Sequence, residues 1–405
     1  DKIALAVAST GIASSLLPGG TTAHRTFKIP LDLDSTDKPP SGVAKGTAQA
    51  LLLKQTSLII WDECTMTNKK ALEVVDRTLR DIRENDKVMG GALLVLTGDF
   101  RQTLPVVPGG TRADEINASL KSSELWPKVR KLHLTKNMRA HITGDLDSWE
   151  FSETLEKIGN GIIGKNTNGI VYPPQGVSVK NKADLLTSIY PNIEENHKDS
   201  NWLSERAILA PRNVEVNDLN LSLLSKLPGE VKTYKSFDKV NIDTDATKYP
   251  IEFLNSIDPP GAPQHILNLK VGCVVMLLRN LNPPKLCNGT RIQVTSLHDN
   301  LIRGKIISGE HIGYNVTIPR IPIIPEGYPF KFKRVQFPVK LSFVMTINKS
   351  QGQTLKHCGL YLENECFSHG QFYVGVSRVG SQKNLKIYAP ENKTVNIVYQ
   401  EILQD

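Results

Sequence analysis

Three short apolar runs, each stopped by polar residues, limit what this chain can fold into. Ile3–Ala8 ends at Ser9-Thr10-Gly11, Ser57–Trp61 ends at Asp62-Glu63, and Ala92–Leu96 ends at Thr97-Gly98-Asp99. Runs this short and continuous read as strands buried on both faces. The stretch between the second and third is helical: Lys69–Glu84 places Leu72, Val75, Leu79 and Ile82 on one face. Strands alternating with helices predict an α/β chain on parallel sheets. In such sheets ligands bind at the C-terminal ends of the strands, where these polar residues stand.

The pattern then changes. Residues 141–205 carry helices and Gly/Pro-rich turns, Ala207–Pro211 is another apolar strand, and Val214–Lys226 reads as a helix. From about 266 to 340, short Val/Ile-rich runs are punctuated by Asn288-Gly289, Asp299-Asn300, Ser308-Gly309 and Pro319–Pro325. That spacing predicts a small antiparallel barrel inserted into a second α/β unit. Leu341–Ile347 returns to the parallel type, followed by a helix at Gln371–Ser377 and a strand at Leu385–Tyr388. A length of 405 residues suits about two or three domains. No apolar run approaches the roughly 18–20 residues of a membrane span. The five cysteines are scattered and nowhere spaced C-x-x-C, which predicts a reducing intracellular setting and no zinc site.

Charge is unevenly placed. Lys and Arg number 49 against 41 Asp and Glu, a net +8. Seven basic residues and one acid, Glu326, lie between Arg320 and Lys356, a local +6 interleaved with Tyr328, Phe330, Phe332, Phe337 and Phe343. Basic residues mixed with aromatics suit a polyanion whose bases stack. The other reading is an edge strand whose lysines block aggregation and whose phenylalanines face a core.

Several short elements carry chemistry. A strand ending in Asp62-Glu63 offers one carboxylate for Mg²⁺ and a neighbour to activate water, as NTP hydrolysis needs. Gln102, just past the third strand, is placed to sense a terminal phosphate, although loop glutamines are usually only solvated. Arg139 and Arg378 each offer charge neutralisation, or a surface ion pair. Asn348–Thr354 forms a polar, glycine-containing turn after a strand.

Taken in order, Thr10-Gly11, Asp62-Glu63, Gly98–Gln102, Asn137-Met138-Arg139, Lys349–Gly352 and Val376-Ser377-Arg378 resemble motifs Ia, II, III, IV, V and VI of superfamily-one helicases. The branch is RecD-like, and within it the Pif (petite integration frequency) family. TINKSQGQTL (Thr346–Leu355) and FYVGVSRV (Phe372–Val379) are the most specific strings. GDFRQTLPVVPGG (Gly98–Gly110) and Phe330–Leu341 look closer to the Pif-like helicases of Helitron transposons. The resemblance covers essentially the whole chain.

That resemblance implies two RecA-like parallel-sheet domains, the first truncated at its N-terminus, with a small SH3-like β-barrel inserted in the second. The boundaries expected are 1–140, 141–265, 266–341 and 342–405. It implies ATP-dependent, 5′-to-3′ DNA unwinding with ATP and Mg²⁺, in repair, recombination, telomere maintenance or transposition. The partners implied are single-stranded and forked duplex DNA, for a monomeric nuclear protein with no membrane association. Asp62 would hold Mg²⁺ and Glu63 would activate water. Gln102 would contact the γ-phosphate, Arg139 and Arg378 would approach it, and Gly352 would belong to the nucleotide site. Thr10, His24, Lys331, Lys333, Arg334, Lys349, Ser350 and Gln351 would serve DNA.

One expected part is missing. A phosphate loop reads G-x-x-x-x-G-K-[ST], and its amides and lysine cradle phosphates. The nearest string, Gly159 to Asn166, ends in Asn and follows a helical segment at Phe151–Ile158. In the family the loop precedes the first strand found here by a few tens of residues, upstream of Asp1. The expectation is a fragment of an intact helicase. The alternative is a catalytically inactive, transposon-derived remnant that binds single-stranded DNA.

Overall fold

The computed structural model describes residues 2–30, 32–33, 38–136, 138, 146–163, 169–240, 249–325 and 328–404. They form two compact units. One joins Asp1–Val179, Ser350–Thr354 and Leu362–Asp405; the other joins Lys180–Lys349 and Leu355–Tyr361. The motif order leads one to expect a first break near 140. Instead the first unit continues to Val179 and takes in the C-terminal segment, because residues 369–404 pack onto residues 99–121.

In the first unit, β1 (Ile3–Ala8), β2 (Thr21–Thr22), β3 (Thr56–Asp62) and β4 (Leu93–Leu96) form a parallel sheet in the order β2-β1-β3-β4. β1, β3 and β4 are the strands the apolar runs predict, within a residue or two. Register sorts their side chains onto two faces, since successive residues alternate. Val7, Trp61 and Leu96 lie side by side, as do Leu5, Ile59 and Leu94. This face packs on the helices Ala48–Gln55 and Lys69–Arg83, with Leu53, Leu72, Val75 and Leu79 completing its core. The opposite face carries Ala4, Leu58 and Leu93, then Ala6, Ile60 and Val95. Among the described residues it is only partly covered: Leu93 is 64% and Val95 39% exposed, while Ala6, Leu58 and Ile60 are half-buried. The continuous apolar runs predict burial on both faces, and here only one is buried. A short antiparallel pair, β5 (Ile170–Val171) with Thr394–Val395, also belongs to this unit.

In the second unit, β6 (Arg206–Ala210) is the centre of a parallel sheet between β17 (Val344–Thr346) and β18 (His357–Tyr361). All five β6 residues are buried, so both its faces are covered. The helices Lys182–Ile189 and Asn213–Lys226 supply Leu185, Ile189, Val216 and Leu219 to this core. Asn220 ties the second helix to β17 by exchanging hydrogen bonds with the Val344 backbone, at 2.8 and 3.0 Å.

The β-rich part of this unit is antiparallel. A five-stranded sheet runs β13 (Asn315–Pro319), β12 (Leu301–Ile306), β11 (Arg291–Leu297), β10 (Val274–Leu277), β16 (Val339–Leu341). Beside it are β14 (Ile321–Ile323), β15 (Phe332–Gln336) and β8 (Phe237–Val240) in one sheet, and β7 (Lys232–Lys235) with β9 (Ile266–Leu269) in another. The expected start at 266 therefore omits β7 and β8. Each is four residues long and carries charged side chains, which gives no apolar run to read. Among the described residues no helix is long and apolar enough to cross a membrane.

Candidate functional site

The C-terminal ends of β1, β3 and β4 converge on one cluster in the first unit. Trp61 Nε1 donates to Ser9 Oγ at 3.1 Å, and Ser9 N donates to the Asp62 carbonyl at 3.2 Å. Thr97 Oγ1 donates to Asp62 Oδ1 at 2.6 Å, and Cys64 N donates to the Thr97 carbonyl at 3.0 Å. Between these anchors Glu63 turns into the left-handed region, φ 49° and ψ 40°. A non-glycine residue there stores about 1–3 kcal/mol of strain, and such residues gather at functional sites. Glu63 Oε2 is buried with no hydrogen-bond partner among the described residues. Burial, and secondarily the Asp62 charge, raise its proton affinity above the ordinary carboxylate value, while nearby Arg378 opposes the shift. The neighbouring Cys64 thiol is pushed up to about 12 by burial, so it stays protonated and inert at neutral pH.

Gln102 and Gln351 join this cluster from opposite ends of the sequence. Thr103 Oγ1 donates to Gln351 Oε1 at 2.6 Å, and Gln102 Oε1 and Gln351 Nε2 are buried without partners among the described residues. Arg378 is buried and oriented by backbone: Nε donates to the Val374 carbonyl at 2.7 Å, Nη1 to the Ser350 and Gln353 carbonyls at 3.3 and 3.1 Å. Gly352 takes φ 78°, and a Cβ added there would lie 3.7 Å from Ala13 Cβ. Asp62, Glu63, Gln102, Gly352 and Arg378 are thus gathered in one unit. Arg139 lies outside the described residues, as do Asn137 and Gly164–Asn166 of the loop-like string.

Residues expected to serve DNA separate into surface and interior. Thr10 is half-buried, and its hydroxyl accepts from Ala13 N at 3.2 Å, capping the helix Gly11–Ser15. His24 is half-buried, and burial lowers its proton affinity. Lys349 and Lys331 are exposed, and Lys333 is half-buried. Ser350 and Gln351, expected to couple the DNA track to the nucleotide cleft, are buried, and each bonds within the protein.

Arg334 is a second correction. Its side chain is 0% exposed and forms a two-pronged ion pair with buried Asp238, Nη2–Oδ2 2.7 Å and Nε–Oδ1 3.0 Å. The remaining donors go to the Leu254, Ile257 and Pro263 carbonyls. All five guanidinium N–H groups are spent inside the protein, so none meets a phosphate. Phe330, Phe332, Phe337 and Phe343 are buried too, and bases have no access to them. The strand that carries Phe332, β15, is nevertheless the middle strand of its sheet rather than an edge.

Sequence reading missed Thr97, Thr103, His369, Gly370 and Tyr373. The last three lie in or beside the string FYVGVSRV, but their partners are about 270 residues away, and no local pattern signals such pairs.

A family model described as PIF1-like helicase matches residues 1–169, and one described as DNA helicase Pif1, 2B domain, matches 252–297. The chain is similar to the ATP-dependent DNA helicase PIF1 of Danio rerio, 27% identical over 100% of this chain and 58% of the relative. It is similar to the ATP-dependent DNA helicase Pif1 of Psychrobacter sp., 25% identical over 94% of this chain and 60% of the relative. It therefore spans somewhat more than half the length of these relatives. The fold is similar to that of Bacteroides Pif1 bound to ssDNA, with TM-score 0.69, 23% identity, and 100% of this chain and 85% of the other covered. For Pif1 helicase from Candida albicans the values are 0.65, 22%, 99% and 87%.

Proposed function

Because the chain belongs to the Pif1-like helicase family, we propose that it carries the hydrolytic cluster and DNA-contacting surface of an ATP-dependent, 5′-to-3′ DNA helicase. The observation that carries this reading is Glu63. Its carboxylate is held in a strained turn beside Asp62, with Oε2 buried and unpartnered among the described residues and with Gln351 and Arg378 nearby.

Glu63 takes the proton of the attacking water at Oε2. Its raised proton affinity brings the base closer to working pH, where general-base catalysis is most effective. Gln102 and Arg378 meet the terminal phosphate, and the carbonyls that grip Arg378 set its direction. Asp62 would hold Mg²⁺: a single carboxylate alongside phosphate oxygens is the usual arrangement for that ion, so the residues fit it. When bound, the ion and ATP supply charge neutralisation and the bond that is cleaved. Thr10, His24, Lys331, Lys333 and Lys349 make up the DNA-contacting set. Ser350 and Gln351 act indirectly, through their bonds to Arg378 and Thr103. Single-stranded and forked DNA are the substrates in this reading, and the protein acts as a nuclear monomer.

The phosphate loop comes from sequence outside this chain, and the first sheet supports that reading. Parallel sheets are normally covered on both faces, yet among the described residues the face of Ala4, Leu58, Leu93, Ala6, Ile60 and Val95 is partly open, and no described strand pairs with the outer edge of β4. Nearby in sequence, Leu132 and Leu134 are 82% and 102% exposed. A strand beside β4 followed by a helix over the open face would cover this surface. The turn between them would lie at the strand C-termini, beside Glu63 and Gln102, where a helix N-terminus binds phosphate.

The test is to extend the chain with the segment its gene encodes upstream and to measure DNA-stimulated ATPase. The extended protein should hydrolyse ATP, the 405-residue chain should show little activity, and Glu63→Gln should abolish turnover in the extended form. No gain on extension would leave the alternative, a non-hydrolysing protein that binds single-stranded DNA. Turnover by Glu63→Gln at the parent rate would remove Glu63 as the base.

A further inference from the structure

The phenylalanines of the basic stretch are buried, but the sheet β14-β15-β8 exposes a different one among lysines. Burial alternates along its strands. Asp238, Val240, Phe332, Arg334 and Gln336 are buried, whereas Phe237 and Lys239 are exposed and Lys333 and Val335 half-buried. Successive side chains point to opposite faces of a sheet, so these last four share its outer face.

Register arranges that face in rows. Phe237 lies opposite Val335, and Val335 opposite Pro322, which makes an apolar row across all three strands. Phe237 is 62% exposed, and Pro322 is exposed at the far edge. The next row is basic, with Lys239 directly opposite Lys333. Lys331, two residues before Lys333, continues the basic side and is exposed. Rows two residues apart along a strand are separated by about 7 Å. No carboxylate occupies an outward position on the three strands. Among the described residues none of the three lysines has an ion-pair partner.

Packing accounts for neither row. Like charges directly opposite on neighbouring strands destabilise a sheet, and an exposed aromatic ring forgoes the free energy of burial. Edge protection does not explain Lys333, because β15 is the middle strand. A ligand that is anionic along one side and flat and apolar along the other answers both. Single-stranded nucleic acid is built this way, with phosphates on one side and accessible base faces on the other. A duplex keeps its base faces stacked internally and would leave Phe237 unused.

We propose that the outer face of β14-β15-β8 is a platform for single-stranded DNA, on which Phe237 stacks against a base while Lys239, Lys333 and Lys331 hold the adjoining phosphates. Val335 and Pro322 extend the apolar row on which the bases lie. The platform rests on the DNA-contacting reading given above to Lys331 and Lys333, adds Phe237 and Lys239 to it, and does not depend on ATP hydrolysis.

The test is titration of the 405-residue chain with fluorescent oligo-dT across a salt series. Phe237→Ala should weaken binding by about five- to a hundredfold, the range of one lost base stack, and equally at every salt concentration. Phe237→Trp should bind at least as tightly as the parent. Lys239→Gln combined with Lys333→Gln should reduce the slope of log affinity against log salt by about 1.4, from two lost phosphate contacts. Lys226→Gln, an equal charge change on the exposed end of the helix Asn213–Lys226, should leave the slope unchanged. Parent-like affinity in Phe237→Ala, or the parent slope in the paired lysine variant, would overturn the platform.

Lys239→Glu separates binding from folding. It sets opposite charges across the two strands, so the free protein should melt at or above the parent temperature while binding oligo-dT more weakly. A lower melting temperature would show that the two lysines do not oppose each other, and would overturn the argument from register. A parent chain with no affinity for oligo-dT at low salt would remove the platform and the DNA-contacting set together. Absence of ATPase in the extended protein would instead defeat the hydrolytic reading and leave the platform to the titration.

Discussion

The two units each contain a parallel sheet, and the sheets differ in how they are enclosed. Around β6 every residue is buried, and the Asn213–Lys226 helix is stitched to β17 through Asn220. Around β3 the Ile59 and Trp61 face is buried, while the face bearing Leu58, Ile60, Leu93 and Val95 lies partly open. The apolar content of the strands is similar. What differs is the helical cover: among the described residues of the first unit, helices pack against one side only.

The comparison can be broken most severely inside the closed unit. Asp238→Ala leaves the fully buried Arg334 cation without its partner, which should cost about 3–5 kcal/mol in chemical denaturation. Lys331→Ala, close by but exposed, should stay within about 0.5 kcal/mol. If Asp238→Ala unfolds at the parent's midpoint, the ion pair is not the anchor that its geometry describes.

A pair of leucines gives a sharper version. Leu209→Ala in β6 should cost about 2–5 kcal/mol through lost burial and the cavity left behind. Leu93→Ala in β4 should cost under about 0.5 kcal/mol in the 405-residue chain. In the extended protein the Leu93 penalty should rise towards the roughly 1.5–3 kcal/mol of a fully buried leucine. An unchanged Leu93 penalty after extension would mean that the open face is not where the added segment docks.

The smallest expected effect is in pH. Glu63 works deprotonated, and burial with the Asp62 charge holds its proton affinity above the ordinary range. The acid limb of kcat/KM in the extended protein should therefore lie above the reference carboxylate value of about 4.3, with rate falling as pH drops through it. Arg378 favours the charged form of Glu63, so Arg378→Ala should move the limb to still higher pH. A limb that stays put in Arg378→Ala would show that the guanidinium does not act on this carboxylate.

Much of this was legible beforehand. The three apolar runs became β1, β3 and β4, the 3.6-residue spacing became the helix Lys69–Arg83, and Asp62-Glu63 stands at the end of β3. These features depend on nearest neighbours along the chain: alternation, helical period, and a polar stop at a strand end. The charged stretch from Arg320 to Lys356 was not legible in the same way. Charge in a sequence does not say whether a side chain faces water, and Lys331 and Arg334, three residues apart, end up exposed and fully buried.

By itself, then, the sequence determined the α/β class, the strands β1, β3 and β4 and the helix Lys69–Arg83, because each of these is written in short-range periodicity. Tertiary structure decided that Asp238 neutralises Arg334, that Tyr373 reaches Asp99, and that one face of the first sheet stays open. Those outcomes depend on pairs of residues about 100 to 270 positions apart and on which surfaces find a covering helix. Both are set by how the chain closes on itself, and no local pattern carries that information.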